Sequence, residues 1–432
     1  MTSPPTAAPT KGIAGRDFLT VAVSNLVSRM GTVVFDVVLA WWLVQRTGST
    51  VASGFVLAAS TLPIAVLSPL SGVFVDRWNK KRVLVATDAV SAASALAVAV
   101  MAHQNIVSIP ALVVCSALLG VCASLFKPAI RAVVPAVVAK ESLARANSLT
   151  TNFAETTKVV GPVIGASLMA VPGMGVPGAL LTNAVSFALS ALAQATITFR
   201  PMRPKTAKES VREGLSAGLR YIRSRRLVRD LLLMCGLVNF FLVSFTILLP
   251  LYVTDVLAKG SGAYSSALTA EALGGVAVTV LFLARRDIRP KPTQLVWYVS
   301  GTGLSLALIP VVPTWSGLLV LSFAQGALMG AFNTLYFTYV QEVVAPEFLG
   351  RVFSLVYMVA VAVMPASYLV FGYLGEHVVT TAFLYTGIGT ILISLPFLRM
   401  RQDEGGTAAA QETEDPTLAP ASGVTAADAD AK

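Results

Sequence analysis

Residues Phe18–Gln45 read FLTVAVSNLVSRMGTVVFDVVLAWWLVQ, a long and mostly apolar run. A helix needs about 20 such residues to cross about 30 Å of hydrocarbon. The run lacks the alternation of apolar and polar residues that is typical of a half-buried strand. It is also too long to be the apolar region of a signal peptide. It therefore predicts a retained membrane-spanning helix.

The same test identifies eleven further runs along the chain. The twelve predicted spans are 18–45, 51–74, 83–103, 107–130, 147–170, 178–198, 230–256, 265–284, 294–312, 316–340, 352–374 and 379–398. We therefore expect an all-α membrane protein with twelve transmembrane helices.

Composition supports this class. The chain has 432 residues, of which 55% are apolar and 12% charged, whereas about 25% are charged in soluble domains. The net charge of +10 does not indicate nucleic-acid binding, because the basic residues lie in short segments between apolar runs. Three cysteines inside apolar runs show neither metal-ligand spacing nor a disulfide framework. We expect no metal, no cofactor and no nucleic-acid partner.

The basic residues also predict the orientation. If the N-terminus is cytoplasmic, the outer connections hold only Arg46 and Lys259, and ten basic residues lie in Arg200–Arg229. This bias predicts cytoplasmic N- and C-termini in a multi-pass protein of a bacterial inner membrane. The predicted organisation is a disordered N-terminus (1–15), a six-helix bundle (16–198), a basic cytoplasmic linker helix (199–229), a second six-helix bundle (230–400) and a disordered tail (401–432).

An internal repeat relates the two halves. Residues from Phe126 to Arg145 resemble those from Phe332 to Arg351 at a shift of 206 residues, and both stretches connect the fourth to the fifth span of their half. Two parallel six-helix halves around a site at the membrane midplane are a transporter plan. The repeat therefore predicts two pseudo-symmetric bundles.

The connection between spans two and three reads GVFVDRWNKKR. It resembles the loop signature of the major facilitator superfamily, in which the second glycine is replaced here by Asn79, a residue that tolerates a left-handed turn. The resemblance implies a loop that gates the halves; a simple positively charged inner loop is the alternative. The signature residues are Gly72, Asp76, Arg77, Lys81 and Arg82.

The fifth span contains Gly161, Pro162 and Gly165, which resemble the antiporter-type GPxxG element of this superfamily's exporters. Two glycines four residues apart allow close helix packing, so an ordinary kinked packing helix is the alternative. Together with LGRVFSL from Leu349, these residues resemble the branch of macrolide-efflux and enterobactin-exporter proteins. The resemblance implies the major facilitator fold and a secondary transporter that exports small molecules.

Polar residues inside spans are costly and indicate functional sites. Asn25, Arg29 and Asp36 share one face of the first span, and Asn152, Glu155 and Lys158 share one face of the fifth. Asp36, Glu155 and Glu271 are the candidates for proton coupling. A structural Arg29–Asp36 pair is the alternative for the first span. The substrate-cavity candidates are Asn25, Arg29, Asn152, Lys158, Asn239, Gln325, Asn333, Tyr336 and Tyr357.

We therefore expect a monomeric, alternating-access exporter that exchanges protons for a small amphipathic or hydrophobic molecule, such as an antibiotic or siderophore. The chain has no phosphate-binding GxxxxGK[ST] loop and no zinc-binding HExxH motif, so an ATP-driven pump and a zinc hydrolase are disfavoured. An ion-coupled importer of a nutrient is the main alternative. A non-transporting membrane receptor or intramembrane enzyme is less favoured.

Overall fold

The computed structural model describes residues 15–197, 219–284 and 290–399, and helices dominate all three ranges. The major helices are α1 (Arg16–Thr47), α2 (Thr50–Arg77), α3 (Lys80–His103), α4 (Ile109–Val137), α5 (Leu143–Ala170), α6 (Gly175–Ala195), α7 (Arg226–Leu251), α8 (Ser261–Ala284), α9 (Pro292–Leu308), α10 (Trp315–Val343), α11 (Pro346–Ala362) and α12 (Met364–Ser394).

Local sequence determines where several helices end. Gly48 closes α1 with a left-handed backbone (φ 64°), a conformation that costs glycine little. The Ser49 hydroxyl accepts the Ala52 N–H at 3.1 Å and caps α2, which satisfies one of the amide groups that a helix start leaves unpaired. The result is a two-residue connection between two long antiparallel helices.

The predicted spans correspond to these helices, with one irregular region. A helical stretch from Phe348 to Arg399 covers the last two predicted spans. It is interrupted at Val363, just before Pro365, and again at Val378, whose backbone is not helical (φ −148°, ψ 50°). Val378 lies in the predicted connection between spans eleven and twelve.

Within the described ranges, nine helices are long and apolar enough to cross a membrane by length and composition alone. The Phe348–Arg399 stretch is one of these nine, although it has the length of two crossings. The all-helical architecture is as expected, and the count of twelve crossings stays a prediction.

The repeat is visible in the helix bounds. Helices α4 and α10 are both 29 residues long, and their first and last residues are each separated by 206 positions. Both helices end on buried valines with extended backbones, Val138 and Val344. The sequence shift therefore relates helices in equivalent positions of the two halves.

The buried apolar residues form one shared core and two separate ones. The shared core joins residues of both halves, such as Trp41 and Leu57 with Leu248 and Tyr264. We call this the closed end; it includes the α1–α2 connection at Gly48 and the α7–α8 connection at Lys259. At the opposite end, one core holds only residues up to Ile197 and another only residues from Ile222 onward. The halves therefore meet at the closed end and separate at the other, the open end.

Three predicted regions fall largely outside the described residues. These are the N-terminal segment, most of the linker helix and the C-terminal tail. Of the linker, only 219–229 is described: residues 219–224 are helical and α7 begins at Arg226.

Candidate functional site

Helices α2 and α12 form the first contact between the halves at the closed end. The Thr50 hydroxyl donates to the Gly372 carbonyl oxygen at 2.6 Å. A Cβ atom at Gly54 would lie 2.5 Å from the Tyr368 carbonyl oxygen, and one at Gly372 would lie 2.8 Å from the Thr50 carbonyl oxygen. The two glycines therefore permit backbone-to-backbone contact across the halves.

Glu376 strengthens this contact. Its carboxylate accepts the Ser49 hydroxyl and, at 3.2 Å, the Val51 backbone N–H. Both groups belong to the start of α2, where unpaired amides and the helix dipole favour a negative charge. A carboxylate of the C-terminal half thus caps a helix of the N-terminal half.

Helix α8 forms the second contact between the halves. The Tyr264 ring stacks on the Trp41 ring with centroids 5.0 Å apart. The Ser265 hydroxyl lies 3.4 Å from the Ser167 hydroxyl of α5. Both aromatic rings are fully buried, so this contact excludes water from the closed end.

Two of the predicted proton-coupling residues lie beside these contacts. Asp36 of α1 lies next to Ser60 of α2 and within electrostatic range of Tyr368. Glu271 of α8 lies within electrostatic range of Tyr264, which in turn interacts with Tyr368. Asp36 of the N-terminal half and Glu271 of the C-terminal half therefore both lie near this pair of tyrosines.

One polar group of this cluster lacks a hydrogen-bond partner. The Tyr264 hydroxyl is buried and has no hydrogen-bond partner. Asp36 and Glu271 are both half-buried. Glu271 lies ten residues into α8, so it is not a solvated helix cap. Two carboxylates that can bind protons and a tyrosine hydroxyl that can donate a hydrogen bond thus lie where the halves meet.

The polar face of α1 forms a local pair. Arg29 Nε donates to Asn25 Oδ1 at 2.8 Å, and the Asn25 amide nitrogen, which is buried, has no partner. The side chains of Asn152, Glu155 and Lys158 on α5 lie outside the described part of the structure. Their roles stay predictions.

The remaining cavity candidates lie in the C-terminal half. Gln325 is buried and accepts the Ser305 hydroxyl at 2.7 Å, and Tyr336 is buried and donates to the Leu231 carbonyl oxygen at 3.0 Å. Both therefore pack helices inside this half. Asn239 donates to the Cys235 carbonyl oxygen of its own helix. Asn333 is exposed, and the half-exposed Tyr357 ring stacks on Phe337.

The loop signature spans the end of α2 and the start of α3. Asn79 caps α3 by accepting the Lys81 and Arg82 backbone N–H groups, and its φ of −68° is not left-handed, so the expected left-handed turn is wrong. As an N-cap, Asn79 pairs two of the amides that the start of α3 would otherwise leave without a partner. The surroundings of Gly72 and the side chains of Asp76 and Arg77 lie outside the described part.

Helix α5 packs closely on α1 through its two glycines. A Cβ at Gly161 would lie 2.8 Å from Val33 Cγ1, and one at Gly165 would lie 3.2 Å from the Val34 Cα. Pro162 lies between them inside the helix. The element therefore packs α5 against α1.

Sequence reasoning missed three participants. Glu376, Tyr264 and Tyr368 form cross-half contacts, but each lies near a predicted span end or in an ordinary aromatic position. The glycines Gly372 and Gly375 before Glu376 were a usable signal, because small residues mark close helix contacts in membranes. Among the described residues, no cluster of histidine, cysteine or acidic side chains could hold a metal ion.

Comparison with known proteins agrees with this architecture. Macrolide efflux protein A from Streptococcus pyogenes is 23% identical over 390 residues, covering 88% of this chain and 94% of that protein. The multidrug efflux pump Tap from Mycobacterium tuberculosis is 28% identical over 396 residues, covering 88% and 93%. The enterobactin-exporter part of the resemblance stays a prediction.

Solved structures share the fold. A mutant of the nucleoside transporter NupG superposes with a TM-score of 0.71 at 14% identity and covers 88% of this chain and 99% of that one. A bacterial homologue of the transporter Spinster, solved inward-facing and unoccupied, gives 0.65 at 11% identity, covering 88% and 97%.

The sequence profile described as transmembrane secretion effector matches residues 7–424. The match spans both halves, the seam between them and the linker. The chain therefore belongs to the transmembrane secretion effector family of the major facilitator superfamily, and it is a multi-pass secondary transporter of the exporter type, not an enzyme.

Proposed function

We propose that this protein exports a small amphipathic or hydrophobic molecule, of the macrolide or other antibiotic class, in exchange for protons. It works as a monomer in the plasma membrane of a bacterium, with both termini in the cytoplasm. The observation that carries the proposal is the placement of Asp36 and Glu271, one from each half, around the tyrosines that join the halves.

The arrangement of the cores supports alternating access. With cytoplasmic termini, the closed end faces outward and the open end faces the cytoplasm, from which an exporter loads its cargo. The halves must part at the closed end to release it. That movement would separate Asp36 from Glu271 and expose both to the outside, where protons can bind.

The energetics are adequate for this exchange. One proton moving through 100 mV releases about 2.3 kcal/mol. A tenfold concentration ratio costs about 1.4 kcal/mol, so one proton sustains a roughly fifty-fold gradient of an uncharged cargo.

Everted membrane vesicles test both direction and coupling. Vesicles made acidic inside should accumulate more labelled erythromycin, a macrolide, than equally acidic vesicles without the protein, and nigericin should abolish the difference by collapsing the pH gradient. Uphill uptake that occurs only in right-side-out vesicles would instead favour the importer alternative. A growth-inhibition panel in a host lacking other pumps identifies the cargo class.

Variants test the two carboxylates. Asp36→Asn and Glu271→Gln should each reduce gradient-driven accumulation at least about tenfold and leave erythromycin exchange without a gradient within about twofold. The double variant should be no worse than either single one if both groups serve one proton site.

Asp255→Asn is the matched control, because Asp255 is exposed at the closed end and bonds only to neighbouring Thr254 among the described hydrogen bonds. It should transport normally. Retained pH-dependent transport in Asp36→Asn would remove Asp36 from the coupling role.

A further inference from the structure

A groove of about 270 Å³ lies between α1, α5 and α6. Apolar side chains of α1 and α5 line most of it, and Thr182, Asn183 and Ser186 of α6 complete the wall. None of its lining residues is ionisable. Ile164 and Thr182 at its edge are exposed, so the groove opens on the outside of the N-terminal bundle, towards the hydrocarbon.

The groove is separate from the carboxylate cluster. Successive residues of a helix are about 100° apart, so Val27 in the groove lies half a turn from Asp36, nine residues away. Helix α1 therefore presents Asp36 on one face and the groove on the opposite one.

Asn183 is the exceptional group in this wall. Its side chain is 3% exposed, and neither its amide nitrogen nor its amide oxygen has a hydrogen-bond partner. The other two polar residues have hydrogen-bond partners. The Thr182 hydroxyl donates to the Gly178 backbone carbonyl oxygen at 2.9 Å, and the Ser186 hydroxyl donates to the Asn183 backbone carbonyl oxygen at 2.7 Å. An unpaired buried amide is costly, so it indicates a missing partner.

Gly31 brings this amide to the groove. A Cβ atom at Gly31 would lie 2.5 Å from Asn183 Oδ1, so the amide occupies the space that a side chain would fill, and Gly31 is itself part of the wall. A polar group of a ligand at the Gly31 end of the groove would provide the missing hydrogen bond.

Depth determines what the ligand is. Asn183 lies two residues, about 3 Å along the axis, from the centre of α6. Phospholipid esters and headgroups lie about 15 Å away, at the edge of the hydrocarbon, and an acyl chain has no hydrogen-bonding group at this depth. The volume exceeds that of a cavity of about 150 Å³ that holds benzene.

We propose that this groove is a second binding site, reached from within the bilayer, for an uncharged lipophilic molecule that carries one hydrogen-bonding group, and that Asn183 binds that group. The site does not depend on the direction or coupling of transport, so it stands or fails independently of the exporter function.

Benzophenone is a suitable probe, because it is uncharged, carries a single carbonyl and, on irradiation, attaches to nearby C–H bonds. Full-length protein in nanodiscs is irradiated with benzophenone and the adducts are mapped by mass spectrometry. We expect adducts at Met30 and its neighbours in the groove. An excess of fluorenone, which has the carbonyl, should compete at least about fivefold better than fluorene, which lacks it.

Asn183→Leu should reduce groove labelling at least about fivefold. The substitution leaves no other group unpaired, because the amide has no partner to lose. Ser186→Phe, which fills the groove, provides a second variant if the first does not fold. Gln104→Leu, at an exposed amide side chain just after α3, is the matched control and should label as the unmodified protein does.

Two outcomes would overturn the proposal. Adducts spread over exposed apolar residues such as Leu192 and Val320, with no enrichment in the groove, would show that there is no site. Groove adducts that persist in Asn183→Leu and that fluorene displaces as well as fluorenone does would show an apolar crevice filled by acyl chains.

Discussion

The Glu376 carboxylate accepts the Val51 backbone N–H at 3.2 Å and so joins the two halves of the chain at the start of α2. The Ser49 hydroxyl, which caps the same helix, also donates to this carboxylate. One side chain of the C-terminal half therefore completes the cap of a helix in the other half. The bond can exist only while this end of the protein is closed.

Glu376→Ala should shift the protein towards the state that is open at this end. The contact is exposed and worth about 1 kcal/mol, which corresponds to roughly a fivefold change in population. Glu376→Gln, which keeps an acceptor and loses the charge, should lie between Ala and the unmodified protein. Electron spin resonance distances between labels at positions 46 and 259, in a background without native cysteines, report the shift.

Glu342→Gln is the control for this experiment, since it removes an exposed carboxylate at the open end. It should leave the distance distribution unchanged. An unchanged distribution in Glu376→Ala would contradict a latching role for Glu376.

Gly54→Ala should abolish transport while the protein still folds. The new Cβ would lie 2.5 Å from the Tyr368 carbonyl oxygen, so α2 and α12 would have to separate before the closed end could form. Vesicle uptake and the same label distances measure the effect. Gly260→Ala is the control, because Gly260 lies at the same end and nothing lies within 4 Å of a Cβ atom there; it should transport normally. Normal uptake by Gly54→Ala would show that the close contact between α2 and α12 is dispensable.

Asp88→Ala should lower stability by about 2 kcal/mol. The buried Asp88 carboxylate of α3 accepts Ser28 of α1 at 2.7 Å, and Ser190 and Gln194 of α6 at 2.5 and 2.7 Å. Removing it leaves three donors without this acceptor in the N-terminal bundle. Thermal unfolding in detergent measures the loss, and Asp88→Asn should recover part of it.

Asp255→Ala supplies the comparison for Asp88, because this aspartate is exposed at a helix end. Its unfolding temperature should match that of the unmodified protein. Equal stability of Asp88→Ala would mean that the network contributes no net free energy of unfolding.

Gly161→Val should destabilise the contact between α1 and α5 by about 1–3 kcal/mol, as overpacking does. The Cβ alone would lie 2.8 Å from Val33 Cγ1. Thermal unfolding again provides the measurement. Gly350→Val is the control, because it places valine at a helical glycine with open space around it and so measures the effect of valine on the helix alone. Similar unfolding temperatures for both variants would contradict the packing role of Gly161.

Two members of the candidate site could be proposed from sequence, because charge inside an apolar run stands out by itself. Asp36 and Glu271 were identified in this way, and both lie near the seam between the halves. Gln325 and Tyr336 were equally visible, but their hydrogen bonds are made to neighbouring helices of the same half. Helical periodicity gives a direction around one helix and does not identify the helix that lies there.

The sequence by itself determined the helical class, the repeat of 206 residues and the family, because membrane insertion depends on the length and polarity of each run separately. Only the tertiary structure decided which end is closed, which carboxylates lie near the tyrosines at the seam and which buried amide lacks a partner. Those properties depend on how helices distant in sequence approach one another. That approach is determined by contacts such as Gly54 against Tyr368 and Gly31 against Asn183, which join residues more than a hundred positions apart.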